Sequence, residues 1–180
     1  MEVRDLDPAD AVACDGIILG LPYHFALEDG REECARAVRN EPGLVAMEGD
    51  AIIGFLTFAY RYDDTAELTW MAVRADRRRT GAGSRLIDAL VERLRADGRK
   101  ILAVLTVSPM EPGEEPADGY QTTRAFYVKN GFSFVRDLPG LWDEDLAVML
   151  VRFIDGPTIL SARIKGFRGR MRPRGAESGP

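Results

Sequence analysis

The sequence predicts an α/β (α+β) domain with one mixed, mostly antiparallel central sheet of six to seven strands and helices on both faces. Three observations carry that expectation. Apolar spacing switches between periods of two and of 3.6 residues in the order β-α-α-β-β-β-α-β-α-β-β. Residues 43–73 hold three strand patterns separated by tight turns, which makes a meander. The 180 residues, 46% hydrophobic and 29% charged, suit one folded domain with a short extension.

Each element has its own signal. Val3-Arg4-Asp5-Leu6 is a short strand, and Asp7-Pro8 is an N-cap with proline at the first helical position, opening a helix to about Leu19. Asp29-Gly30-Arg31-Glu32 has capping-box spacing and opens a second helix, with Cys34, Ala35 and Val38 on one face, that stops near Asn40 before Pro42. Strands follow at 43–47, 51–60 and 66–73, with turns at Glu48-Gly49-Asp50 and Asp63-Asp64. Leu86, Ile87, Leu90, Val91 and Leu94 repeat at helical spacing, and Gly98 closes that helix. Residues 101–107 are an uninterrupted apolar run, expected to be a central strand buried on both faces. A helix at about 122–130 ends at Gly131, and strands at 132–136 and 146–153 complete the sheet.

Charge divides the chain. Residues 1–155, the expected domain, hold 18 basic and 28 acidic residues, whereas the tail, 156–180, holds six basic and one acidic. A body so acidic repels phosphate backbones, so nucleic acid is not expected as its partner. The tail fits a disordered segment, a segment docked on the acidic body, or a short basic amphipathic helix. No apolar run approaches the 18–20 residues of a membrane span, and Met1-Glu2-Val3-Arg4-Asp5 lacks a signal-peptide pattern. Cys14, Cys34 and a single histidine, His24, are too few for a zinc site or a disulfide framework, so no metal is expected. Two small core cysteines fit a reducing cytoplasm.

The chemistry concentrates at Ala66-Glu67-Leu68-Thr69-Trp70-Met71-Ala72-Val73 and the loop that follows, ending in Thr80-Gly81-Ala82-Gly83. Glycines at a helix entrance let a ligand approach the main chain, whose free N–H groups and helix dipole bind phosphate. Arg77, Arg78 and Arg79 add positive charge on the same approach, so a pyrophosphate is the natural ligand. No lysine follows the glycines, which excludes a P-loop. Leu86 stands where a dinucleotide fingerprint needs its third glycine, and the glycines come a seven-residue loop after the strand. A Gly-x-Gly alone also fits a merely flexible helix entrance.

Arg78-Arg79-Thr80-Gly81-Ala82-Gly83 resembles the (Gln/Arg)-x-x-Gly-x-(Gly/Ala) signature of the GCN5-related N-acetyltransferase (GNAT) superfamily. Trp70-Met71-Ala72-Val73 looks like that family's fourth strand, and Thr123-Arg124-Ala125-Phe126-Tyr127-Val128-Lys129-Asn130-Gly131-Phe132 like its second conserved helix and turn. The likeness covers residues 3–153. It implies an enzyme that moves an acetyl group from acetyl-coenzyme A to an amine of a small molecule or peptide. Arg78, Arg79, Thr80, Gly81, Ala82, Gly83 and Ser84 would surround the pyrophosphate. Main-chain groups of Met71 and Val73 would bind the pantetheine arm near a strand bulge. A main-chain N–H around Met71 would face the thioester oxygen, where a fixed donor contributes about 3–4 kcal/mol in other acyl-transfer sites.

An amine arrives as ammonium and must lose a proton before attacking a thioester. Glu67 is the expected base, directly or through water, because it precedes Met71 by four residues and is expected on the same strand face. Tyr127 matches the tyrosine that the family places beside the sulfur, where a phenol can donate to the departing thiolate. Tyr120 stands where many members carry an asparagine that bonds pantetheine; if the helix begins one or two residues later, Gln121 or Thr122 substitutes. With Tyr120, the loop residues Tyr23 and His24 complete the expected substrate-binding set. The loop 108–119 adds four carboxylates, which with Glu67, Asp63 and Asp64 favour a cationic acceptor. The alternative class is a non-catalytic acyl-coenzyme A-binding module. Both a monomer and a homodimer stay open.

Overall fold

In the computed structural model, which describes residues 1–22, 25, 27–108, 120–142 and 146–155, seven strands form one sheet. The strands are β1 (Glu2–Asp5), β2 (Gly43–Glu48), β3 (Ala51–Tyr62), β4 (Thr65–Val73), β5 (Ile101–Val107), β6 (Ser133–Leu138) and β7 (Ala147–Phe153), in the spatial order β1-β2-β3-β4-β5-β7-β6. Every neighbouring pair is antiparallel except β4 with β5. The helices are α1 (Ala11–Leu19), α2 (Glu28–Asn40), α3 (Ala82–Ala96) and α4 (Tyr120–Lys129). Tyr23 and His24, the acidic loop beyond Ser108 and the basic tail lie outside the described residues.

Two apolar layers hold the sheet. Leu86, Ile87, Leu90, Val91 and Leu94 of α3 pack on Leu56, Phe58, Leu68, Leu102 and Val104. Each such side chain, fully buried, contributes about 1.5–3 kcal/mol. On the other face Cys14, Ile17 and Ile18 of α1 and Cys34 and Val38 of α2 pack on Val45, Phe55 and Ala72. Burial pushes the Cys14 thiol up to about 12 and that of Cys34 up as well, so both are protonated packing groups.

Asp7 caps as expected: its side chain accepts from the Ala9 N–H, and Asp10 accepts in return from the Asp7 N–H at 2.8 Å. Asp10 also takes both guanidinium nitrogens of Arg4, at 2.7 and 2.8 Å. The first turn is 3-10 over Pro8–Asp10, so α1 proper starts at Ala11.

Three expectations need correction. The second helix starts at Glu28 with Leu27 as an N-cap that makes no side-chain bond. Asp29 lies inside its first turn, where with Glu28 it favours the helix dipole without capping. β5 is an interior strand but alternates: Leu102, Val104 and Thr106 are buried, while Ile101, Ala103 and Leu105 are half-buried. Among the described residues the layer from α1 and α2 includes residues of β2, β3 and β4 and none of β5. The fourth helix begins at Tyr120 itself, earlier than the expected 122.

Candidate active site

β4 and β5 run parallel but pair only from Thr65↔Ile101 to Leu68↔Val104. Among the described residues, 70–73 therefore have a strand partner on the β3 side alone. The divergence starts at a bulge: Thr57 pairs with Trp70 and the next residue, Phe58, with Leu68, so Thr69 is an extra residue in β4.

That bulge decides which side chains meet. Ala66 and Leu68 join the core under α3, and after the bulge Met71 and Val73 pack against the same core. Trp70 and Ala72 join the opposite layer, where Trp70 stacks on Phe25 at 6.0 Å between centroids. Glu67 pairs with Ala59, next to buried Phe58, so it shares a face with Thr69 and Trp70 and not with the Met71 side chain. The expectation of one face for Glu67 and Met71 is thus corrected: four residues span an even number of pleats only without a bulge.

On this face Glu67 is bound by Arg61, whose Nε lies 2.5 Å from its Oε2. Beside it Thr69 Oγ1 donates to Glu41 Oε2 at 2.5 Å, and fully buried Thr57 lies 2.8 Å from Thr69 Oγ1. With the Thr69 proton directed to Glu41, Thr57 donates to Thr69. Glu41 is the C-cap of α2 and has no cation in reach among the described residues.

The loop after β4 is shaped by its backbone. Arg79 and Gly81 have left-handed φ of 65° and 93°, and Gly81 caps α3 without a side-chain bond. Loops of alternating handedness turn N–H groups into anion-binding concavities. Thr80 Oγ1 donates to the Arg77 carbonyl at 2.7 Å, tightening the turn. Arg77 is tied to Glu48 at 2.7 Å and Asp76 at 3.0 Å, so it supports the loop instead of facing a ligand. Arg78 and Arg79 are exposed and pair with no carboxylate among the described residues. The two glycines serve different ends. A Cβ on Gly81 would meet nothing, and only its φ requires glycine. A Cβ on Gly83 would stand 3.0 Å from the Phe126 ring, so Gly83 admits α4 against α3. Ala82 is buried and Ser84 half-buried.

Residues 18–132 match the model of the acetyltransferase (GNAT) family. The chain belongs to the GNAT family. Solved structures share its fold. One is a GNAT-family protein from Desulfovibrio desulfuricans, with TM-score 0.71, 20% identity, and coverage of 85% of this chain and 99% of that one. Another is an aminoglycoside 6′-N-acetyltransferase in complex with coenzyme A, with TM-score 0.66, 20% identity, and coverage of 86% and 97%. A third is the ribosomal-protein-S18-alanine N-acetyltransferase from Escherichia coli, with TM-score 0.65, 16% identity, and coverage of 85% and 93%. No curated protein sequence matches the chain. The family's acyl donor is acetyl-coenzyme A.

Within this GNAT fold Tyr127 is only 6% exposed, edge-on to Phe126 at 5.4 Å and Phe132 at 5.3 Å. Burial pushes its phenol well above the usual tyrosine range, so it is protonated at neutral pH. Tyr120 is the first residue of α4, on the same helix. Arg124 of α4 is buried and donates to the Val107 carbonyl at 3.0 Å, anchoring that helix to the end of β5. Sequence reasoning missed Arg61, Thr69 and Glu41, since neither spacing nor period brings them together. One signal was present: Glu41 is a carboxylate at a helix C-terminus, where the dipole disfavours it. Among the described residues no helix is long and apolar enough to cross a membrane, and no acidic, histidine or cysteine group forms a metal cluster.

Proposed function

We propose that the protein is an N-acetyltransferase that moves the acetyl group of acetyl-coenzyme A to a primary amine of a small molecule or peptide. The observation that carries this is the divergence of β4 from β5 at the Thr69 bulge, directly upstream of the left-handed loop that opens α3. The residues present fit the donor. Arg78 and Arg79 have no carboxylate partner among the described residues, and residues 78–84 combine left-handed backbone at Arg79 and Gly81 with a helix N-terminus. Among the described residues Met71 and Val73 have a strand neighbour on one side only, which supports their main-chain role toward the pantetheine.

Acetyl-coenzyme A supplies the acetyl group as a thioester, which an amine attacks directly. The chain's residues then have separate tasks. Arg78, Arg79 and the N–H groups from Thr80 to Ser84 would hold the pyrophosphate, and a main-chain N–H around Met71 would donate to the thioester oxygen. Glu67 accepts the ammonium proton, with Arg61 fixing its Oε2 and leaving Oε1 for the amine or a bridging water. Tyr127, kept as the neutral phenol by burial, would offer a hydrogen bond to the departing sulfur.

A second reading has an observation in its favour: Glu67 is held by Arg61 and Tyr127 is packed among aromatics, as in a non-catalytic acyl-coenzyme A-binding module. One experiment separates the two. Acetyl-coenzyme A is incubated with pooled primary amines, and thiol release and acetylated products are followed by mass spectrometry. The enzyme yields acetyl-amine in step with free thiol; coenzyme A binding without product identifies the module.

A further inference from the structure

We infer that Glu41 is the carboxylate that binds the acceptor's ammonium group, so that this site selects acceptors that arrive as cations. The inference rests on the amine-acceptor reading above and names a residue that the sequence left out.

Two partly buried carboxylates share the face of the sheet beside the β4 bulge, and their surroundings differ. Glu67 is neutralised by Arg61, 2.5 Å away. Glu41 receives only the Thr69 hydroxyl, which leaves its charge without a cation among the described residues. It is also held in place: Thr57 bonds Thr69, and Thr69 bonds Glu41, so a chain of two hydroxyls fixes the carboxylate against the bulge. Phe58 N–H donates to the Pro42 carbonyl at 3.0 Å, which clamps the segment carrying Glu41 across β3 at that level.

The helix dipole does not favour a carboxylate there. A negative charge at a helix C-terminus opposes the dipole of α2, and Arg39, in the last turn, is turned away to Asp15. A partly buried, oriented carboxylate that lacks a counter-ion gains most from a ligand cation. Trp70, the next residue along β4, lies on the same face and packs into the apolar layer of α1 and α2. Position adds the last constraint. Glu41 is bonded to Thr69, two residues before Met71 and two after Glu67, so a cation held there lies between the proposed base and the proposed oxyanion donor.

The test uses the full chain, acetyl-coenzyme A and four probe amines: n-butylamine, 1,4-diaminobutane, phenethylamine and a tetrapeptide with a free N-terminus. The wild type is compared with Glu41→Gln, Glu41→Asp and Thr69→Val, each checked for an unchanged melting profile and an unchanged coenzyme A Kd. Glu41→Gln is expected to raise KM for the best probe about tenfold or more, with kcat at saturating amine within about twofold. Thr69→Val is expected to give a smaller rise, and Glu41→Asp to recover part of the loss. A wild-type KM in Glu41→Gln, alongside turnover of a probe, overturns the assignment of Glu41 and leaves the acetyltransferase reading standing. An equal fall in kcat with unchanged KM also overturns it, because a group that binds the ground-state cation acts on KM. No acetylation of any probe by wild type that binds coenzyme A overturns the amine reading and the inference with it.

Discussion

The loop that opens α3 and the face of β4 that carries Glu67 and Thr69 are adjacent, yet they are built in different ways. The loop is a backbone construction: left-handed Arg79 and Gly81, a helix N-terminus, and an ion pair from Arg77 to Glu48 that stiffens it from outside. The face is a side-chain construction in which Glu67, Arg61, Thr69, Thr57 and Glu41 meet from three separate elements. The difference teaches that binding phosphate and choosing an acceptor are separable here. On the proposed function, changes to the loop are expected to alter coenzyme A affinity, and changes to the face to alter turnover and amine affinity.

The largest expected effect tests the face. Glu67→Gln lowers kcat by about 100-fold or more, as for loss of a proton acceptor, while coenzyme A Kd stays within about twofold. Tyr127→Phe lowers kcat by about tenfold with the same unchanged Kd, since one donor to a charged group is lost. A loss of coenzyme A affinity in Glu67→Gln breaks the separation of the two regions.

The loop is tested next. Replacing Arg78 and Arg79 together by alanine weakens coenzyme A binding about tenfold and flattens its salt dependence, measured by calorimetry at two ionic strengths. At saturating donor, kcat is retained. A changed kcat with unchanged Kd assigns these cations to the chemistry instead.

Smaller effects separate the glycines. Gly81→Ala, at φ 93°, costs about 1–2 kcal/mol of stability and weakens coenzyme A binding through the altered turn. Gly83→Ala costs a similar amount by pressing on the Phe126 ring, with less effect on the cofactor. Equal affinity loss in both variants contradicts their separate roles.

The smallest effect lies outside both regions and serves as a control. Arg4 beside Asp10 holds that carboxyl below its ordinary value. The unfolded chain therefore takes up the proton first as pH falls, and the stabilisation present at neutral pH is lost on acidification through and below the ordinary range near about 4. Asp10→Asn is expected to cost about 1 kcal/mol at pH 7, the value of a cap. In thermal melts its difference from wild type shrinks toward pH 3, with kcat and Kd unaltered at neutral pH.

The same contrast explains what was legible in the sequence. The element order, the meander, Asp7 as cap and Gly98 as terminator all followed from period and local chemistry, which act over a few residues. Gly81 was legible because backbone conformation writes itself into residue choice; the separate job of Gly83 was not, because Phe126 is 43 residues away in the chain. On the face, alternation placed Glu67 beside Met71, and a one-residue bulge at Thr69 reversed it. No local pattern marks a bulge of this kind, nor the meeting of Glu41 with Thr69 across 28 residues. The run at 101–107 looked buried on both faces because its composition is apolar throughout, whereas α1 and α2 stop short of it.

The central claim is acetyl transfer to an amine at the β4 bulge, and label transfer tests it most directly. Acetyl-coenzyme A labelled in the acetyl group is mixed with the pooled amines, and wild type, Glu67→Gln and the Arg78/Arg79 double alanine variant are followed side by side. The account predicts label in the amine fraction with wild type, a rate about 100-fold lower with Glu67→Gln at equal coenzyme A affinity, and near-normal rates with the double variant at saturating donor. Label that stays on coenzyme A or leaves only as acetate, or transfer at the wild-type rate by Glu67→Gln, contradicts it.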